Sequence, residues 1–277
     1  MPELPEVVTV TNILNEELIG LKIEYCEVFW PKLLTHQTAD ELSKRVKNQT
    51  IQRVFNKGKF IIFELTKDVL ISHLRMEGRW AFERKENHSY SETILEAEFG
   101  FSNAEDKVLR YYDFRRFGTL EIANKETYLK SNSLAKVGPE ANEPHLKPNW
   151  LKERLAKTRR PIKVVLLDQT IISGIGNIYD NEILFAAQIN PYTPANKLTY
   201  EQVELILVHA RLILNKAIIK KGTTIHTFES RKGQTGQYQN YLKVHGKNNQ
   251  PCPQCQTTII KEAIGGRGTY YCPKCQS

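Results

Sequence analysis

Cys252-Pro253-Gln254-Cys255 and Cys272-Pro273-Lys274-Cys275 close the chain as two Cys-x2-Cys knuckles separated by 16 residues. Each knuckle bends the backbone so that two thiolates face one way, and two such turns complete a tetrahedral set of four cysteines, the ligand set of a structural zinc ion. Four cysteines leave no coordination position open, so the metal is expected to hold shape and not to act on a substrate. Between the knuckles, Gly265-Gly266-Arg267-Gly268 followed by Thr269-Tyr270-Tyr271 reads as a β-hairpin. It presents Arg267 on a glycine-flanked tip, a shape suited to a phosphate contact and equally to a solvated surface arginine. The remaining cysteine, Cys26, lies in an apolar strand and reads as a small buried hydrophobe.

Outward from the knuckles, charge separates the chain into halves. Residues 1–150 carry 21 Lys and Arg against 23 Asp and Glu, whereas residues 151–277 carry 18 against 8. A basic excess confined to the C-terminal half fits contacts to a polyanion. That half begins with helical patterns over 151–159, 162–169, 178–187 and 201–220. Val203, Ile206, Leu207, Ala210, Ile213, Leu214 and Ala217 share one face of the last, and Gly222 follows its end. Gly174-Ile175-Gly176-Asn177-Ile178-Tyr179 is a glycine-punctuated turn opening a helix. Its backbone N–H groups, with the Asn177 side chain, suit an anion, and a tight helix–helix turn explains the glycines as well.

Residues 131–150, with Gly138, Pro139, Pro144 and Pro148, read as a linker. Before them the period is that of strands: 22–28, 50–55, 60–65, 69–74, 94–101, 107–112 and 119–122, with a short helix over 36–47 and a mobile polar loop at 85–91. Strands at this spacing predict an antiparallel sandwich or barrel. Two of its loops, His73-Leu74-Arg75-Met76-Glu77-Gly78 and Asp113-Phe114-Arg115-Arg116-Phe117-Gly118, could place Met76, Arg115 and Phe117 as wedges in a base stack. Taken singly, a Met or Phe reads as core. Lys59, at a strand end, reads by itself as a solvated lysine.

The chain opens Met1-Pro2-Glu3-Leu4-Pro5-Glu6 and continues as an amphipathic helix to Leu18, with Gly20 beyond its end. Removal of Met1 would leave Pro2 as a secondary amine titrating near pH ~8, nucleophilic toward a sugar aldehyde carbon, with the Glu3 carboxylate as acid and base. The two prolines alone would also be explained as a helix entry. No apolar run approaches the ~18 residues of a membrane span and the acidic start is unlike a signal peptide, so a cytoplasmic protein without a membrane is expected. P-loop, HExxH, GxSxG and dinucleotide motifs are absent from the sequence.

Met-Pro-Glu-Leu-Pro-Glu-Val at the start, Ser-His-Leu-Arg-Met-Glu-Gly, Asp-x-Arg-Arg-Phe-Gly, Gly138-Pro139-Glu140, Gly-Ile-Gly-Asn-Ile-Tyr and Gly-Arg-Gly-Thr-x-Tyr-Cys-Pro-x-Cys-Gln occur in unbroken order from residue 2 to 276. Together they resemble the bacterial formamidopyrimidine-DNA glycosylases, and Leu4 favours these over their endonuclease VIII-like relatives. The resemblance implies an α+β protein of two domains. A catalytic β-sandwich with its opening helix would occupy 1–130 and a linker 131–150. A helix–two-turn–helix domain would occupy 151–235, and a zinc-finger β-hairpin 236–277.

It further implies a bifunctional glycosylase and AP lyase, acting as a monomer on double-stranded DNA bearing an oxidised purine or an abasic site, with one structural zinc on Cys252, Cys255, Cys272 and Cys275. Pro2, Glu3, Lys59 and Arg267 would be catalytic. His73, Met76, Arg115, Phe117, Lys157, Arg159 and Asn177 would contact DNA. Glu77, Thr223 and Thr224 would read the flipped base. Four departures are visible. Val8 stands where the family has Glu, and the family's Lys-His-Asp-His segment is missing near His88. Lys221 replaces the first of two glycines, and Thr158 replaces a basic residue. An oxidised-pyrimidine glycosylase and an inactive damage-binding protein are the alternative readings.

Overall fold

The computed structural model describes residues 2–223 and 236–276. Its described residues form two compact units, one of residues 2, 6–135 and 236, the other of 3–5, 136–223 and 237–276.

In the first unit, α1 (Leu4–Leu18) turns Val7, Val10, Leu14 and Leu18 into the core, one apolar face at helical spacing. Each such burial contributes roughly 1.5–3 kcal/mol. Gly20, at φ 83°, ends the helix in a left-handed turn that only glycine adopts with little strain. The chain continues through β1 (Ile23–Val28), α2 (Ala39–Val46), β2 (Ile51–Lys57), β3 (Phe60–Leu65), β4 (Asp68–His73), β5 (Arg79–Arg84), β6 (Leu95–Phe101), β7 (Lys107–Tyr112) and β8 (Thr119–Asn124). These pair as two four-stranded antiparallel sheets, in the orders β1-β6-β7-β5 and β2-β3-β4-β8. The two sheets meet through the core, where Trp80 of β5 lies edge-on to Phe63 of β3 with ring centres 5.2 Å apart. The sandwich expected from the strand period is present.

Two details depart from the sequence pattern. Strand β5 carries three charged residues in six and lies at a sheet edge, paired only with β7, so its apolar alternation is too weak to read from sequence. The polar run 85–91, expected to be mobile, is instead fastened by the buried Arg110. Its guanidinium donates to the carbonyls of Lys85 (3.0 Å) and Asn87 (2.7 Å) while paired with Glu83 (3.0 Å) and Glu98 (2.6 Å). His88, in that run, has one ring nitrogen 3.1 Å from Glu92 and the other 3.3 Å from the Tyr112 hydroxyl.

In the second unit, α3 (Pro148–Leu155) opens with proline at its first turn, three residues ahead of the start read from sequence. It is followed by α4 (Ile162–Leu166), α5 (Asn177–Ala186) and α6 (Tyr200–Ile219), the last capped by a reciprocal Thr199–Gln202 box. Strands β9 (Ile260–Ile264) and β10 (Arg267–Tyr271) form an antiparallel hairpin. The stretch 136–147 does not hang free: Gly138 N donates to Gln169 O, Ser173 N to Pro139 O and Ala141 N to Ser173 O, at 2.8–3.0 Å. Among the described residues no helix is long and apolar enough to cross a membrane.

Candidate active site

Helix α5 is the hub of the second unit. Its N-terminal turn holds Glu3, whose Oε1 accepts from Ile178 N at 2.8 Å and whose Oε2 accepts from Tyr179 N at 3.3 Å. The helix N–H groups that were expected to face an anion thus face the chain's own carboxylate, where the helix dipole favours negative charge. Gly176 makes this approach possible: a Cβ there would lie 2.2 Å from Glu3 Cδ. Leu4 N donates to Gly174 O at 3.1 Å, while Gln169 clasps the turn, its amide nitrogen donating to Ile175 O and its oxygen accepting from Gly174 N. Gln169 carried no signal in the sequence that would have marked it.

The next residues of α5 tie in the rest of the unit. Asn177 Nδ2 donates to Gly268 O at 3.0 Å, holding the hairpin strand that begins with Arg267. Asp180 and Lys163 form a fully buried ion pair at 3.0 Å, and Lys163 also donates to Asn181 Oδ1 at 2.7 Å. The buried Glu182 carboxylate accepts from the backbone N–H groups of Lys243, Val244 and His245, at 2.8–3.0 Å. Burial pushes the His245 imidazole down to about 4, with Lys163 and Lys261 adding to the effect, so its ring is neutral.

The hairpin turn is Gly265-Gly266, with φ 56° and 73°, a two-residue turn in which both positions need the left-handed region. Arg267 is the first residue of β10, directly past the turn, and is exposed. Lys157 and Arg159 are exposed in the loop after α3, and Thr223, four residues past the end of α6, is buried. Lys221 adopts φ 58°, a conformation costing a non-glycine residue roughly 1–2 kcal/mol, which gives the departure from glycine at this position a physical cost. Thr224 lies outside the described residues.

The knuckles bring the four thiols together, every sulfur within 4.8 Å of the others. Cys252 Sγ is 3.9 Å from Cys275 Sγ, and Cys255 Sγ 3.5 Å from Cys272 Sγ, close to the ~3.8 Å edge of a tetrahedron with Zn–S bonds of about 2.3 Å. Gln254 N and Cys275 N each donate to a knuckle sulfur at 3.4 Å, as thiolates require. Phe185, Val244 and Ile259 pack around Cys252 and Cys272. These residues fit a structural zinc ion.

In the first unit, Pro2 is buried immediately ahead of α1. Lys59 is also buried, at the β2–β3 turn beside Gly58, and is not the solvated strand-end lysine its position alone suggests. His73 is buried as well. Its Nδ1 accepts from Arg75 N at 2.9 Å, which places the ring proton on Nε2. Burial, then Arg75 and Lys59, hold its pKa down to about 3, so it is a neutral donor.

The loops at 74–78 and 113–118 share a support that sequence reading missed. A Cβ at Gly78 would lie 2.0 Å from the Tyr111 hydroxyl and one at Gly118 1.8 Å from it, so both loop ends close on one buried ring. Met76 and Glu77 are half-buried on the first loop. Asp113, wholly buried, fixes the second by accepting from Arg115 N (2.9 Å), Phe117 N (3.0 Å) and Gly118 N (2.8 Å). Arg115 stacks its guanidinium 4.8 Å over the Phe117 ring, which is 52% exposed. An aspartate two residues before a bonded N–H is the sequence signature of such a side-chain turn.

An antiparallel sandwich, a helical unit and a four-cysteine zinc finger in one chain are the arrangement of a class of DNA glycosylases, to which the family models assign it. Family models agree along the chain: residues 1–120 match the formamidopyrimidine-DNA glycosylase N-terminal domain, 137–229 the formamidopyrimidine-DNA glycosylase H2TH domain, and 249–277 a zinc finger found in these enzymes and in IleRS. The chain belongs to the formamidopyrimidine-DNA glycosylase family. The formamidopyrimidine-DNA glycosylase of Mycoplasma genitalium is 43% identical over 278 residues, covering 100% of this chain and 96% of the relative. That of Geobacillus kaustophilus is 40% identical, with both chains covered in full. The Lactococcus lactis Fpg in complex with DNA containing an abasic site superposes with a TM-score of 0.91 at 36% identity, again over both whole chains.

Proposed function

We propose that this protein is a bifunctional DNA glycosylase and AP lyase that excises oxidised purines, 8-oxoguanine and formamidopyrimidines, from duplex DNA. The observation that carries the reading is Glu3, gripped by the first-turn N–H groups of α5 while covalently next to Pro2. A carboxylate so held is a general acid and base that does not wander, beside a secondary amine that can form an iminium once Met1 is removed. In the proposed sequence Met1 is first removed, and the freed Pro2 nitrogen attacks C1′ of the damaged nucleoside as the C1′–base bond breaks. The departing base takes up the proton that the attacking amine loses. Glu3 protonates the ring oxygen, the sugar opens, and the nitrogen becomes an iminium. Loss of the C2′ proton, assisted by Lys59, then expels the 3′ phosphate, and a second elimination, served by Arg267, removes the C4′ proton and expels the 5′ phosphate. Met76, Arg115 and Phe117 would fill the gap that base flipping leaves, offsetting a few kcal/mol of lost stacking. Cys252, Cys255, Cys272 and Cys275 would hold a zinc ion, which would keep the Arg267 hairpin in shape.

Borohydride trapping on a duplex containing 8-oxoguanine tests this. Wild type should yield a covalent adduct mapping to Pro2, and acetylating the terminal nitrogen should abolish it. No adduct with wild type would remove the lyase assignment, and faster release of thymine glycol than of 8-oxoguanine would reassign the substrate class.

A further inference from the structure

Phe114 is 73% exposed, although it sits in a loop that is otherwise fixed atom by atom. Asp113 beneath it makes its three backbone contacts, and Arg116 is turned back to donate to Thr93 O at 3.2 Å and to lie 4.1 Å over the Trp30 ring. Arg116 reaches this position through a left-handed φ of 54°. Phe117 is covered on one side by Arg115. Phe114 has no such cover: among the described residues no ring or cation stacks on it. A large aromatic displayed by a pinned loop loses little further conformational freedom on binding, and its apolar face is unfavourable in water until something flat covers it.

The ligand is narrowed by the neighbours. Arg115 stands beside it, and the loop shares its Tyr111 support with the loop of Met76. An aromatic interleaved with arginine on a pinned loop is an arrangement that takes the π-face of a nucleobase. We propose that Phe114 is a stacking platform for a DNA base next to the gap left by the flipped nucleotide, separate from the wedge of Met76, Arg115 and Phe117. This inference rests on the repair function proposed above.

The test uses a duplex bearing a tetrahydrofuran abasic analogue, with 2-aminopurine placed in turn opposite the analogue and at the neighbouring positions of either strand. Phe114→Ala should weaken binding roughly 5- to 150-fold, the range seen when a base-stacking aromatic is truncated. It should restore 2-aminopurine fluorescence at one position that wild type quenches. Phe114→Tyr should stay within about threefold of wild type, and Phe114→Leu, apolar without a π-face, should fall near the alanine variant. The salt dependence of affinity should be the same for all four proteins, because no phosphate contact is removed. Wild-type preference for the lesion duplex with an indifferent Phe114→Ala, or a fully competent Phe114→Leu, overturns this inference alone. Wild type that shows no preference for the lesion duplex overturns the repair reading and this inference together.

Discussion

Replacing Glu96 by glutamine should make the sandwich more stable in alkali. Glu96 is 1% exposed and sits at the irregularity where β6 shifts register against β7 between Leu95 and Ala97. Neither carboxylate oxygen has a hydrogen-bond partner among the described residues. Burial first, then the nearby Asp113 charge, push its pKa up to about 8 from an ordinary 4.5, with Arg116 pulling the other way. A raised folded-state pKa means that the folded chain keeps a proton which the unfolded chain gives up. Stability is therefore complete below pH 4.5 and drains away as pH rises to about 8. At ~1.4 kcal/mol per pH unit the loss is on the order of 5 kcal/mol, less whatever solvent penetration recovers. Glutamine has no charge to bury.

Urea unfolding of the parent and Glu96→Gln at pH 5, 7 and 9, both in a Trp150→Phe background so that the fluorescence of Trp30 and Trp80 reports on the sandwich, measures this. The two proteins should match within ~1–2 kcal/mol at pH 5, and the variant should be ahead by several kcal/mol at pH 9. Parallel pH profiles, or a variant weaker than wild type at pH 9, would refute the reasoning.

Gly176→Ala should uncouple catalysis from folding. The new Cβ, 2.2 Å from Glu3 Cδ, must evict the carboxylate from the α5 terminus. Single-turnover excision should then fall at least a hundredfold, for a stability cost of about 1–3 kcal/mol. Excision within threefold of wild type would show that the grip on Glu3 is dispensable. Stripping zinc with a chelator, or Cys275→Ser, should release the metal to a colorimetric indicator and weaken DNA binding more than tenfold, since such a site contributes on the order of 10 kcal/mol of folding free energy. The fluorescence of Trp80, in the other unit, should not change.

Much of this protein is written locally. The period of α1, the strand runs of 60–65 and 107–112 and the Cys-x2-Cys spacing each depend on residues a few positions apart, so each is legible without coordinates. The ordered motifs went further and fixed the family. Strand β5 was lost because an edge strand with charges needs only a weak apolar stripe, and the 85–91 run was misjudged because its anchor, Arg110, is remote in sequence.

What the tertiary structure alone decided is where polar groups find partners. Glu3 reaches an N–H group 175 residues away, Asn177 a carbonyl 91 away, and one tyrosine hydroxyl supports both Gly78 and Gly118. A hydrogen bond depends on the meeting of two directions in space, and sequence encodes neither until the apolar faces have packed. Residue types therefore announced that a carboxylate beside an opening proline and a zinc finger were present. Packing decided that the carboxylate would be held at the start of α5, and that Phe114 would be left facing water.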